Sequence, residues 1–227
     1  MLSLDESLLI GIGRDRACYQ HPTTPSLCIK VALKAEKQSI RERNYLKFLK
    51  KKNRDLTYIS QYMGTLDTNL GKGHVFELVR DEKNNIAPTL KTAIQNKHIE
   101  CHEVEELVNQ LKTYLYTQSI CAYDLSPNNI VVVKNSNSKW SLKIIDGIGI
   151  SQPNPFIIHF KTLTHKVLDK SFKRLKRKIR TSYNSSTFCQ TKRNETKRNT
   201  IKPRLLLLSP FILISAWLAI EELMAEF

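Results

Sequence analysis

The sequence is short of several things, and each shortage narrows what it encodes. Its five cysteines, at 18, 28, 101, 121 and 189, form no CxxC pair. An odd number without that spacing argues against a disulfide framework or a zinc site and fits a reducing cytosol. The start, MLSLDESLLIGIGRDR, has no basic segment ahead of its short apolar run, so no secretory leader is expected. No internal repeat is visible. The uncharged run LLLLSPFILISAWLAI at 205–220 stops at 16 residues and contains Pro210. A spanning helix needs about 20 residues. The run therefore reads first as a packed or interfacial helix and second as a short membrane span. In the second case its Lys202/Arg204 flank would lie on the cytoplasmic side.

Acidic residues nearly vanish from 161–204, where only Asp169 and Glu195 face 15 Lys/Arg. Residues 1–160 are closer to balance, with 21 Lys/Arg against 16 Asp/Glu, so most of the formal +15 belongs to the C-terminal part. Anionic partners are expectations for that part alone. An anionic membrane surface met by 161–220 is favoured over nucleic acid. Phe160, Phe172, Tyr183 and Phe188 are too sparse to stack many bases. The rest is ordinary: 227 residues, 41% hydrophobic and 25% charged, enough for one domain with a small second lobe.

Periodicity orders that domain. Residues 8–33 read as a strand, a turn at HPTTPS and the strand LCIKVAL. Residues 35–52 read as a helix with Ile40, Tyr45, Leu46 and Leu49 inward. YISQYMGTLDT and GKGHVFELVR read as strands joined by a turn containing Asn69, Gly71 and Gly73. Residues 90–119 repeat Val104, Leu107, Val108, Leu111 and Leu115 at helical spacing. The turn CAYDLSPNN follows, then IVVV, a turn at 135–138 and WSLKIID. Beyond Pro153 and Pro155, residues 157–180 read as one basic helix, and 181–204 as a polar linker.

This is the order of parts in a protein kinase. Phosphoryl transfer asks the protein to hold phosphates, place Mg²⁺ and orient a hydroxyl. Gly11 and Gly13 could let backbone amides approach a phosphate, although the third position of G-x-G-x-x-G is Arg16. Glycines at hairpins are common, so this pair alone carries little. Lys30 interrupts an apolar strand and suits a phosphate clamp, with Glu42 as its partner and Glu36 as the alternative. Asp124 and Asn129 keep the spacing of H-R-D-L-x-x-x-N, which makes Asp124 the candidate catalytic base. Asn129 and Asp146 are then the candidate oxygen ligands of Mg²⁺. His98 and His102 lie four apart, but among acidic neighbours they read as a solvated face rather than a metal site.

Several stretches resemble the YrbL family, the PhoP regulatory network proteins of bacteria. They are GIGRDRACYQHP, LCIKV, IRERNYLKFL, QYMGTLDTNLGKGHVFELV, and LSPNNI followed by IIDGIG, spread over about residues 8–180. The resemblance implies an ATP-site architecture and a link to envelope, Mg²⁺ or acid-stress signalling, and it supplies no acceptor. Against active protein kinases, Ala122-Tyr123 replaces His-Arg, Ser126 replaces lysine, the D-F-G phenylalanine is missing and no A-P-E follows. The expected fold is α+β, a reduced two-lobed protein-kinase-like fold. A small antiparallel-sheet N-lobe (about 1–80) would precede a short, mostly helical C-lobe (about 81–180). The basic linker 181–204 and an apolar helix at 205–227 would follow. The expected function is an ATP/Mg-binding phosphotransferase, or else a pseudokinase without turnover, in the cytoplasm, with 205–220 as its route to a membrane.

Overall fold

Five short segments form one antiparallel sheet: β1 (Leu9–Ile12), β2 (Arg16–Gln20), β3 (Leu27–Ala32), β4 (Tyr62–Thr68) and β5 (Gly71–Glu77), in the order β1-β2-β3-β5-β4. The computed structural model describes residues 1–134, 139–150, 157 and 160–184, all within one unit, Met1–Cys189. The turn at 135–138, the Pro153/Pro155 break, linker residues 185–204 and the apolar run at 205–227 lie outside the described residues.

The stretch read as strand, turn and strand holds three strands. The Gly13 N–H donates to the Arg16 carbonyl at 2.8 Å and closes a tight turn inside LLIGIGRDRACYQH. Gly71 and Gly73, read as turn residues, belong to β5. A Cβ on Gly73 would lie 2.5 Å from the Ile29 side chain, so only glycine fits that crossing.

Residues opposite one another in register share a face. Ala17, Val31, Ile29 and Val75 lie on the outer face, where Leu2, Leu4, Leu8 and Leu66 form a small apolar cluster. The inner face carries Arg16, Cys18, Cys28, Lys30, His74 and Phe76. That is a polar set for a largely buried surface, and such groups need partners or a ligand.

Helix α1 (Lys37–Lys51) buries Ser39, Glu42, Tyr45, Leu46 and Leu49 at helical spacing. Ile40, read as inward, is 36% exposed, and Glu42 takes the inward place at 5%. The helical region at 90–119 is two helices, α2 (Leu90–Gln95) and α3 (Cys101–Gln118). The chain breaks because Lys97 adopts φ +56°, and Glu100 and Glu103 then form a reciprocal capping box that opens α3. The five apolar positions read from periodicity are buried in α3.

A hairpin follows, β6 (Ile130–Lys134) with β7 (Trp140–Ile144). Helix α4 runs Lys161–Asn184, so residues 181–184 are helical rather than linker. Leu168, Phe172, Leu175, Ile179 and Tyr183 make its buried stripe, while nine Lys/Arg and one Asp occupy the 161–184 sequence. One main core joins Phe76 and Leu78 of the sheet region, Tyr45, Leu46 and Leu49 of α1, and the apolar faces of α3 and α4. The fold is α+β, a small antiparallel-sheet part with one long helix and a short, mostly helical part. Among the described residues no helix is long and apolar enough to cross a membrane.

Candidate functional site

The polar turn before β6 is held from inside and from across. The Asn129 N–H donates to the Ser126 carbonyl at 2.9 Å, and Leu125, Ser126 and Pro127 are buried. The Asn129 side-chain Nδ2 donates to the Asp124 carbonyl at 3.0 Å and to Asp124 Oδ2 at 3.3 Å. The segment after β7 then crosses this turn. The Ile145 N–H donates to the Asn129 carbonyl at 2.9 Å, and the Asp124 N–H to the Gly147 carbonyl at 3.3 Å. Gly147 has φ +84°, and a Cβ there would lie 2.5 Å from the Asp124 carbonyl oxygen. Only glycine lets the two segments approach this closely. Asp124, Asn129 and Asp146, separated in sequence, are therefore brought into one cluster.

Within that cluster the amide donor of Asn129 is committed to Asp124, which leaves its Oδ1 without a partner among the described residues. Asp146 Oδ1 accepts from the Gly147 N–H at 2.6 Å and from Arg16 Nη2, and Oδ2 has no partner among the described residues. The Asp146 side chain keeps 30% exposure. Two oxygens of this kind, one neutral and one anionic, fit Mg²⁺, a hard ion that takes few protein ligands alongside phosphate and water.

The cation arrangement differs from expectation. Lys30 does not pair with Glu42. Its ammonium donates to the Ile145 carbonyl and lies 4.2 Å from the Phe76 ring centre. The partner of Glu42 is Arg16, whose Nη1 donates to Glu42 Oε2 at 2.6 Å while Nη2 reaches Asp146. The two terminal nitrogens of a planar guanidinium are held apart in a fixed fork and reach two separate carboxylates at once, whereas the Lys30 ammonium is a single point drawn to the Ile145 carbonyl. Glu36, the alternative partner, stands at the N-cap of α1 without a side-chain capping bond. Arg16 is the member of this cluster that reading the sequence did not single out. The available signal was an arginine at a glycine position, at the first residue of a strand.

Charge is balanced tightly here. Burial would raise the Asp146 carboxyl, but Lys30 and Arg16 outweigh it and hold it below the usual range. Burial, with Asp146 adding to it, pushes the Glu42 carboxyl up against the pull of Lys30 and Arg16. The Cys18 thiol falls to about 7, first through its hydrogen bond with Cys28 and then through Lys30, against burial.

Gly11 and Gly13 form the exposed edge of the β1–β2 hairpin. An added Cβ on Gly11 would meet nothing within 4 Å. Ala122-Tyr123, where His-Arg was absent, has its own linkage. Gln38 Nε2 on α1 donates to the Tyr123 hydroxyl at 2.8 Å, and the Cys121 N–H donates to the Tyr45 hydroxyl at 2.8 Å. Burial, then the carboxylates of Asp146 and Glu42, push the Tyr123 phenol up to about 12. From the other side, Ser171 Oγ at 3.0 Å and Arg174 both donate to the Tyr123 carbonyl. His98 precedes α3 and His102 sits inside it, facing Glu100 at 3.1 Å, so the two do not share a helix face.

The family described as PhoP regulatory network protein YrbL has a sequence model that matches residues 2–180. The uncharacterized protein YrbL of Escherichia coli (strain K12) is 29% identical over 180 residues, 77% of this chain and 86% of that protein. YrbL of Shigella flexneri matches with the same identity and coverage. Among solved structures, the crystal structure of Rad53 1-466 in complex with AMP-PNP aligns with a TM-score of 0.50 at 18% identity. That match covers 74% of this chain and 45% of the Rad53 chain, so the likeness is one of protein-kinase fold with a much longer protein.

Proposed function

This chain belongs to the PhoP regulatory network protein YrbL family, and we propose that the cluster of Lys30, Asp124, Asn129 and Asp146 binds Mg-ATP and acts as a phosphotransferase on a hydroxyl acceptor. The observation that carries the proposal is the cross-linking of the Asp124–Asn129 turn to the Asp146-Gly147 segment. It supports a reading in which one carboxylate serves the acceptor and two oxygens serve the metal. Mg-ATP would supply the phosphoryl group and, through the metal, neutralise charge on the phosphates. Asn129 Oδ1 and Asp146 would hold the metal. Lys30, on the inner face of β3, would meet the inner phosphates, and Gly11 and Gly13 would let the β1–β2 backbone come close. Asp124 would orient the acceptor hydroxyl and take its proton as ADP leaves.

The test is a thermal shift with ATP and Mg²⁺ on the parent and on Asp146→Ala. A ligand that binds only the folded state adds roughly 2.7 kcal/mol at 100-fold excess over Kd. The parent should be stabilised and the variant should not. Equal shifts in both would remove the assignment.

A second reading, a nucleotide-binding module without turnover, is favoured by one observation. Arg16 holds Glu42 and Asp146, where a catalytic arrangement places Lys30 and the metal. ATP consumption by the parent that disappears in Asp124→Ala would rule it out.

A further inference from the structure

We infer that the groove along α4 beside Tyr123 is the acceptor site, and that it selects a hydroxyl compound already bearing at least two phosphate groups. This rests on the phosphotransferase reading and names its substrate class.

The groove has a volume of about 1020 Å³ and is lined by Tyr123, Val167, Thr181 and the cations Lys170, Lys173, Arg174, Lys176, Arg177 and Arg180. No carboxylate lines it. The one acidic residue of α4, Asp169, is engaged by the Tyr116 hydroxyl. Lys170, Lys173, Lys176, Arg177 and Arg180 have no carboxylate partner within 4.0 Å among the described residues. Like charges at i,i+3 and i,i+4 destabilise a helix. This helix holds several such pairs, and a bound polyanion would relieve them.

The groove adjoins the turn that carries the candidate base. Arg174 grips the carbonyl of Tyr123, the residue before Asp124, and Lys178 Nζ stands 3.9 Å from Asp124 Oδ1. A ligand lying along α4 would thus end with a hydroxyl at Asp124. The cations from Lys170 to Arg180 extend over roughly 15 Å of helix, more than one phosphate group covers. Three of them are arginines, whose forks suit phosphate oxygens in pairs. Val167 is the only aliphatic side chain of the lining, which disfavours an apolar peptide. The concave shape and the shared Tyr123 favour a compact polyphosphate over a flat lipid surface.

The probe is inositol hexakisphosphate, which has no free hydroxyl and so reads the polyphosphate-binding half of the proposal alone, titrated by calorimetry into the full chain, with inositol as the uncharged control. One-to-one binding by the hexakisphosphate alone is expected. The triple variant Lys173→Ser, Arg177→Ser and Arg180→Ser should weaken it about 100-fold or more while leaving the thermal shift with Mg-ATP unchanged. Lys50→Ser, Lys51→Ser and Lys52→Ser together remove the same charge at the exposed end of α1 and should weaken it less than about threefold. Equal losses in both triples would overturn the proposal, since binding would then follow net charge alone. So would capture by phosphatidylglycerol vesicles with no binding of the hexakisphosphate, which would make α4 a membrane-facing patch. If the hexakisphosphate binds but Mg-ATP never stabilises the parent, the phosphotransferase reading fails and takes the acceptor role with it, and the polyphosphate site remains.

Discussion

Replacing Gly147 with alanine isolates the contact on which the candidate site depends. Gly147 sits at φ +84°, and the new Cβ would lie 2.5 Å from the Asp124 carbonyl oxygen and 3.0 Å from its carbon. An ordinary non-bonded contact lies near 3.5 Å, so the two segments must part by about 1 Å. A left-handed backbone at a residue with a Cβ costs about 1–2 kcal/mol, and overpacking adds about 1–3. The expected loss is about 2–5 kcal/mol, which lowers the melting temperature of a domain this size by about 4–20 °C. The matched control is Gly11→Ala, where an added Cβ meets nothing within 4 Å and the change should stay within about 0.5 kcal/mol. Both are read by urea unfolding of the full chain, and the Mg-ATP thermal shift is read on Gly147→Ala against the parent. A loss under about 1 kcal/mol at Gly147, or an equal loss at Gly11, would refute the view that this crossing is sterically determined.

Two further outcomes follow from the inner face of the sheet. Arg16→Met should cost about 3–5 kcal/mol, because it leaves Glu42 buried at 5% exposure with its partner gone. Adding Glu42→Leu should recover more than half of that in urea unfolding, and no recovery would mean that the pair is not the source of the loss. His74 is 1% exposed, and neither ring nitrogen has a hydrogen-bond partner among the described residues. Burial, with Arg43, Arg16 and Lys72 adding and Glu36 opposing, holds its pKa below the ordinary 6.5. The unfolded chain therefore takes up the proton first, and stability falls as pH drops from about 6.5 toward the folded value, by at most about 1.4 kcal/mol per pH unit. His74→Phe should flatten the unfolding free energy between pH 7 and pH 5, and an unchanged slope would place its origin elsewhere.

Much of the site was legible because its signals are local. Asp124 and Asn129 lie on one turn, and the spacing of that turn survives any packing. Lys30 on β3 was legible as a charge interrupting an apolar strand, and Glu42 on α1 only as the glutamate on the helix after it. Their pairing was not. Whether Lys30 or Arg16 meets Glu42 depends on how β2, β3 and α1 come together, and a two-fork guanidinium won over a single ammonium. The break between α2 and α3 was missed because the apolar spacing continues across it, while one residue with positive φ and a capping box end the helix. The end of α4 was missed because its last turn is polar outside yet anchored by buried Tyr183.

By itself the sequence determined the order of elements, the turn that carries Asp124 and Asn129, the amphipathic stripes of α1, α3 and α4, and the concentration of positive charge after residue 160. These depend on periodicity, turn chemistry and composition, which act over a few residues. Only the tertiary structure decided that Gly147 crosses Asp124, that Arg16 joins Glu42 to Asp146, and that the cations of α4 line a groove beside Tyr123. Those facts set residues up to 130 positions apart against one another. Such contacts follow from the burial of all the apolar stripes at once, and no local pattern encodes them.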